Sequence, residues 1–148
     1  MTELSGPFWD AMHGRSPMPP AAATLGFEFI EADVEAGTIE LAFTATEAFV
    51  NPAGNVLGAY IAAMLYDTVG PALLATVQPH QFQSTLELKS NFLRPVRPGR
   101  LFGSGRVVYR SGELAYLEAT LRDQNGSLVA TATATARVIE MADAAKAV

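Results

Sequence analysis

The sequence predicts an α+β domain in which one antiparallel sheet wraps a single long central helix. Three observations carry the prediction. An apolar stretch runs from Gly58 to Val77 with one charged side chain in it, Asp67. Two segments of strand character precede it and four follow, separated by turn residues. The chain has 148 residues and is 49% hydrophobic, enough for one core and too little for two, so residues 1–148 are read as a single domain.

"SGPFWDAMHG" opens the chain's first element, a short helix with Ser5 as its N-cap and Pro7 in the first turn. "RSPMPPAAA" follows as a proline-rich connector, so residues 1–23 form a leading helix and linker. Strand character begins at Thr24 with "TLGFEFIEADV" and breaks at a turn over Glu35–Gly37. In "TIELAFTA", Ile39, Leu41 and Phe43 alternate with Thr38, Glu40, Ala42 and Thr44, the period of a half-buried strand. "NPAG", from Asn51, is a turn.

The long apolar stretch comes next. Its length approaches that of a membrane span, but Asp67, Gly70 and Pro71 interrupt it, and a buried helix is the better reading. "TVQPHQFQ" is a loop. "STLELKSNFL" sets Leu86 and Leu88 against Thr85, Glu87 and Lys89. "LFGSGRVVYR" and "LAYLEATLRD" meet at Ser111–Gly112, and "SLVATATATARVIE" follows the turn signal Asn125–Gly126. The tail at 141–148 is expected to fray or form weak helix. There is no internal repeat.

Composition removes several function classes. With no cysteine there is neither a disulfide framework nor a thiolate nucleophile. His13 and His80 stand far outside metal-ligand spacing, so no metal site is expected. A formal net charge of −5 argues against nucleic acid as a partner. No basic segment leads into an apolar run at the N-terminus, so no signal peptide is read and the cytoplasm is the default compartment. No membrane partner is expected either.

Taken in order, "N-x-x-G-x-x-x-G" from Asn51, the buried helix, "TLELKSNFLRPV", "GRVVYRSG" and "LRDQNGSLVATATATARV" form a recognisable set. Over Leu25 to Val138 it resembles the hotdog-fold acyl-CoA thioesterases of the phenylacetate-degradation (PaaI-like) type. The resemblance implies a hotdog fold, with five or six antiparallel strands around the helix. It also implies homodimers or homotetramers whose active site lies between subunits, the helix start of one facing residues of the other. An acyl-CoA is the implied substrate, and coenzyme A enters only as part of it, without a separate cofactor.

The family opens its helix with His-Gly-Gly and places an acid nine residues after the histidine. Those positions fall here on Leu57, Gly58, Ala59 and Tyr66, and the acid of this chain, Asp67, comes one residue later. Backbone amides at Gly58 and Ala59 are suited to an oxyanion, since a helix start carries unpaired N–H groups and partial positive charge. A plain turn is the other reading of Gly58. Asp67 is a general base or nucleophile, or else a structural acid bonded to a loop or partner. Loss of the N–H at Pro71 offers one way for the helix to distort and turn Asp67 to the site; in a regular helix it points about 100° from Tyr66.

Tyr66 can donate its phenol to the thioester or simply pack. Asn51 can place a water or the carbonyl, or serve as a turn asparagine. Thr85, with Ser84 beside it, falls where the family has a hydroxyl from the opposite subunit; an ordinary strand threonine is the alternative. Leu57, Ala59 and Ser84 would border the substrate. Arg94, Arg97, Arg100, Arg106 and Arg110 supply five of the ten basic residues, and guanidinium forks suit phosphate. The turn Arg110–Ser111–Gly112 offers backbone amides to the same group. Met64, Tyr60 and Phe82 are candidates for the acyl pocket. The function expected is thioester hydrolysis through this helix start and a carboxylate-activated water. The alternative is a binding protein for acyl-CoA or another small ligand that has lost the family's His and Asp. A hydratase of the same fold would need an Asp and a His paired after the helix, which this chain lacks.

Overall fold

The period-2 pattern of "TIELAFTA" forms a strand at Thr38–Ala45 whose Ile39, Leu41 and Phe43 are fully buried. The computed structural model describes residues 4–148. In chain order the strands are β1 (Glu28–Asp33), β2 (Thr38–Ala45), β3 (Gln81–Phe92), β4 (Gly99–Ser111), β5 (Leu114–Arg122) and β6 (Leu128–Glu140). They form one antiparallel sheet in the order β1-β2-β4-β5-β6-β3, so β1 and β3 are its edges. Two short helices, α1 (Pro7–Met12) and α2 (Pro20–Thr24), precede the sheet, and α3 (Gly58–Leu74) lies against it. This is the wrapped-helix arrangement of the hotdog fold. No helix among the described residues is long and apolar enough to cross a membrane.

Glycine lets the helix come down onto the sheet. A Cβ at Gly105 would sit 2.8 Å from the backbone oxygen of Thr68, and one at Gly103 would sit 2.8 Å from both Leu41 Cδ1 and Thr68 Oγ1. On β6, the buried alanines 130, 132, 134 and 136 keep the neighbouring surface equally low. Ile61, Met64, Leu65, Thr68 and Ala72 form the buried stripe of α3. That stripe leaves Tyr66 and Asp67 on the two flanks of the opposite face.

Several boundaries differ from the sequence reading. Ser5 does not cap α1; Gly6 precedes it at φ 110, with no side-chain cap. The first strand begins at Glu28, because Pro20 and the alanines after it form α2. Pro71 lies inside α3 without breaking it, and the helix ends at Leu74. Tyr66 and Asp67 therefore keep the rotation of a regular helix. β3 starts at Gln81, inside the expected loop. A bulge between Thr85 and Glu87 then reverses the first pair of the expected alternation, with Thr85 buried at 6% exposure and Leu86 57% exposed, while Leu88 packs on the core between exposed Glu87 and Lys89 as expected. The tail is ordered as a 3-10 helix over Met141–Lys146, and the Met141 N–H donates to His80 O at 2.7 Å.

Candidate active site

Leucine is a poor N-cap, and at the start of α3 no side chain takes that role. The Leu57 N–H donates to Phe49 O (2.8 Å), and the Leu57 carbonyl accepts from Tyr60 (2.9 Å) and Ile61 (3.3 Å). Among the described residues nothing accepts from the amides of Gly58 and Ala59. Two adjacent N–H groups thus stand open at the positive end of a helix of 17 residues.

A cleft of about 240 Å³ is bordered by Asn51, Asn55, Ile61, Phe92 and Arg94; Gly58 and Ala59 do not line it, and Phe92 is the residue that links it to the helix start. The Phe92 ring lies 3.6 Å from where a Cβ of Gly58 would be, so the end of β3 covers the helix start. Asn51 Oδ1 accepts from the amides of Ala53 (2.9 Å) and Asn55 (3.0 Å). The carbonyl of Asn51 is therefore spent on the turn, and only its Nδ2 is left to face a ligand.

A second polar group gathers at the middle of the helix. Tyr66 Oη donates to the Val148 carbonyl at 2.6 Å, and the Val148 N–H donates to Ser84 Oγ at 3.3 Å. Thr85 Oγ1 donates to Gln83 Oε1 at 3.2 Å. Asp67, on the other flank, makes no hydrogen bond among the described residues. Burial pushes its carboxyl from 3.8 up to about 7.

Within the chain these two groups are separate. Asp67 lies nine residues beyond Gly58, or about 13 Å along the axis. No single carbonyl touches both. The turn at Arg110–Ser111–Gly112 is farther still: Arg110 borders Thr76, past the end of α3, about 24 Å along the helix from Gly58.

The arginine window also divides. Arg100 is bonded to Glu28 (3.0 and 3.2 Å) and Arg106 to Glu118 (2.9 and 2.6 Å), so both are neutralised. Arg110 Nε donates to Gly112 O at 2.9 Å, within its own turn. Arg97 reaches Gly54 O only at 3.5 Å, and Arg94 borders the cleft with no acidic partner among the described residues. Of the acyl-pocket candidates, Met64 is fully buried in the core and Tyr60 stacks on Phe49 at 4.1 Å. Phe82 faces a different apolar cavity of about 190 Å³, shared with Phe8, Trp9 and Leu74.

The thioesterase superfamily matches residues 53–130, more than half of the chain. The chain belongs to that superfamily. A phenylacetic acid degradation-related protein from Ralstonia eutropha JMP134 is 40% identical, over 88% of this chain and 98% of its own, with a TM-score of 0.84. A thioesterase family protein from Silicibacter pomeroyi shares the fold at 24% identity and TM-score 0.79, over 90% of this chain and 98% of its own. The E. coli PaaI protein of the phenylacetic acid degradation operon does so at 19% and 0.78, over 93% and 96%. No curated protein matches the chain. The relationship to the PaaI-like hotdog thioesterases, first visible in the ordered motifs, therefore holds.

Sequence reasoning missed two residues of this thioesterase-superfamily chain. Asn55 borders the cleft but falls on a variable position of the motif N-x-x-G-x-x-x-G, between Gly54 and Gly58. Gln83 is 6% exposed and meets α3 at Gly70. The one signal that pointed to it was Gly70 itself, a glycine inside a helix.

Proposed function

We propose that the protein hydrolyses an acyl-CoA thioester to the free acid and coenzyme A. What carries this reading is the presence on one helix of two amides without acceptors and a carboxylate poised near neutral pH. Water is the nucleophile. Asp67 takes a proton from it, the water oxygen bonds to the thioester carbon, and the carbonyl oxygen becomes an oxyanion held by the Gly58 and Ala59 amides. As the C=O re-forms, the C–S bond breaks and the thiolate takes the proton back from Asp67. A base near neutral pKa suits both halves. No metal or redox partner enters these steps.

The separation of about 13 Å between helix start and carboxylate means that two copies complete each site. β1 carries Glu28, Glu31 and Asp33, charges that discourage edge pairing. β3 instead exposes Leu86 and Phe92, each 57% accessible. Joining β3 to β3 about a two-fold axis runs the helices antiparallel, so that Gly58 of one copy meets the middle of the other's helix. Thr85 and Ser84 then approach the partner's cleft, as does the turn at Arg110, which meets the phosphates of coenzyme A together with Arg94. A homodimer is the minimal unit, and a homotetramer doubles it. The cytoplasm, where coenzyme A thioesters are held, is the compartment this reading implies.

One observation favours the binding-protein alternative: Tyr66 occupies the family's acid position, and its hydroxyl is already engaged by Val148. Release of free thiol from aromatic, short-chain and long-chain acyl-CoAs separates the two. Turnover of any of them supports hydrolysis. Tight binding with no thiol released supports the alternative.

A further inference from the structure

We infer that Gln83 positions the hydrolytic water at Asp67, and that Gly70 is a glycine to make room for it. The inference rests on the thioesterase reading above and adds a residue that neither the family pattern nor the sequence motifs point to.

Glycine is the poorest helix former after proline, and Gly70 sits inside α3 with φ in the ordinary range. Its reason lies across the structure. A Cβ at position 70 would fall 2.9 Å from Gln83 Nε2, so the amide of Gln83 occupies the place a side chain would take. Gln83 is 6% exposed, and its Oε1 accepts from Thr85 Oγ1 at 3.2 Å. That bond fixes which way the amide faces, with Nε2 turned to the helix. Nε2 has no acceptor among the described residues.

On the helix surface Gly70 is the i+3 neighbour of Asp67 and the i+4 neighbour of Tyr66. Cα–Cβ bonds tilt towards the helix start, so the space taken by the amide opens towards both of them. Tyr66 is engaged with Val148, whereas Asp67 has no partner among the described residues. An N–H donor thus packs on α3 one turn from a carboxylate that makes no bond to it. A water that donates to Asp67 and accepts from Gln83 Nε2 is held at two points, and its remaining lone pair is directed away from the helix, towards the thioester. Gln83 acts through that water and is a positioning residue; Thr85 orients it in turn.

The test uses the full chain, with phenylacetyl-CoA, hexanoyl-CoA and palmitoyl-CoA as probes and free thiol as the readout. Gln83→Met removes the amide, Gln83→Glu keeps the acceptor for Thr85 but removes the donor, and Gly70→Ala displaces the amide without altering it. Each should lower kcat on the order of 10²-fold, the cost of a small misplacement, while KM stays within about twofold. Gly70→Ala combined with Gln83→Met should be no slower than the worse single variant, because both remove one contact. Thermal midpoints should not follow the losses in kcat, and Gly70→Ala should melt no lower than wild type. Wild-type kcat in the Gln83 variants, losses that multiply in the double variant, or losses that track the melting temperature would each overturn the inference while leaving the thioesterase reading intact. A wild-type protein that releases thiol from none of the probes removes that reading and the inference with it.

Discussion

Tyr66 and Asp67 are successive residues of α3 with opposite fates. The Tyr66 hydroxyl donates to the Val148 carbonyl at 2.6 Å, while the Asp67 carboxylate has no hydrogen-bond partner among the described residues and is pushed up to about 7. The residue at the family's acid position is occupied, and the acid itself is poised one step round the helix.

Replacement of these two residues should have unequal effects. Asp67→Asn should lower kcat by about 10²–10⁴-fold, the usual contribution of a positioned base. Tyr66→Phe should change it by less than about tenfold on the same scale, since its phenol is bonded to the tail. Steady-state thiol release measures both. A wild-type rate in the Asp67 variant would remove it as the base.

The raised carboxyl also sets a pH dependence of rate. A carboxylate accepts a proton only when ionised, so with Asp67 as the proposed base kcat/KM should rise with pH through about 7 and level off above it. A profile already flat from pH 5 upward would show that another group takes the proton.

Stability should run the other way. A carboxyl at 3.8 unfolded and about 7 folded stabilises the fold fully below pH 4, and that contribution is lost as pH rises through 7. That difference corresponds to at most about 4 kcal/mol, and less where a partner or solvent reaches the group. Asp67→Asn should therefore melt higher than wild type at pH 8 and equally at pH 4. Calorimetry at the two values decides it.

Assembly and activity should fail together. Leu86→Lys places a charge on the exposed face of edge strand β3 and should yield monomers in light scattering. Those monomers should be inactive, since one copy holds its open amides and its carboxylate about 13 Å apart. An active monomer would show that a single chain forms the site.

The arginines should separate by their partners. Arg110→Ala should raise KM for an acyl-CoA, and added salt should do the same for wild type. Arg106→Ala, which removes a residue already paired with Glu118, should leave KM unchanged. Indifference to salt and to Arg110 together would place the phosphates elsewhere.

Much of what neighbours in sequence decide was legible in the sequence, though not the start of α1 or the helix α2. The alternation of Ile39, Leu41 and Phe43 predicted β2, and "NPAG" leading into an apolar run predicted the start of α3. The ordered motifs predicted the sheet around that helix, and Asp67 stood out as the only charge within it. Other features depend on residues that meet only after folding. Tyr66 finds Val148 across 82 positions, and Arg100 finds Glu28 across 72. No local pattern announces either bond, so the engaged phenol and the neutralised guanidinium emerged only in three dimensions. The bulge after Thr85 is similar: it turns Thr85 inward and Leu86 outward, a choice made by pairing with β6 rather than by the residues' own polarity. Gly70 shows the division within a single residue. Its presence in a helix was visible from the start, but its reason, the amide of Gln83, lies on the edge strand that folds back against it.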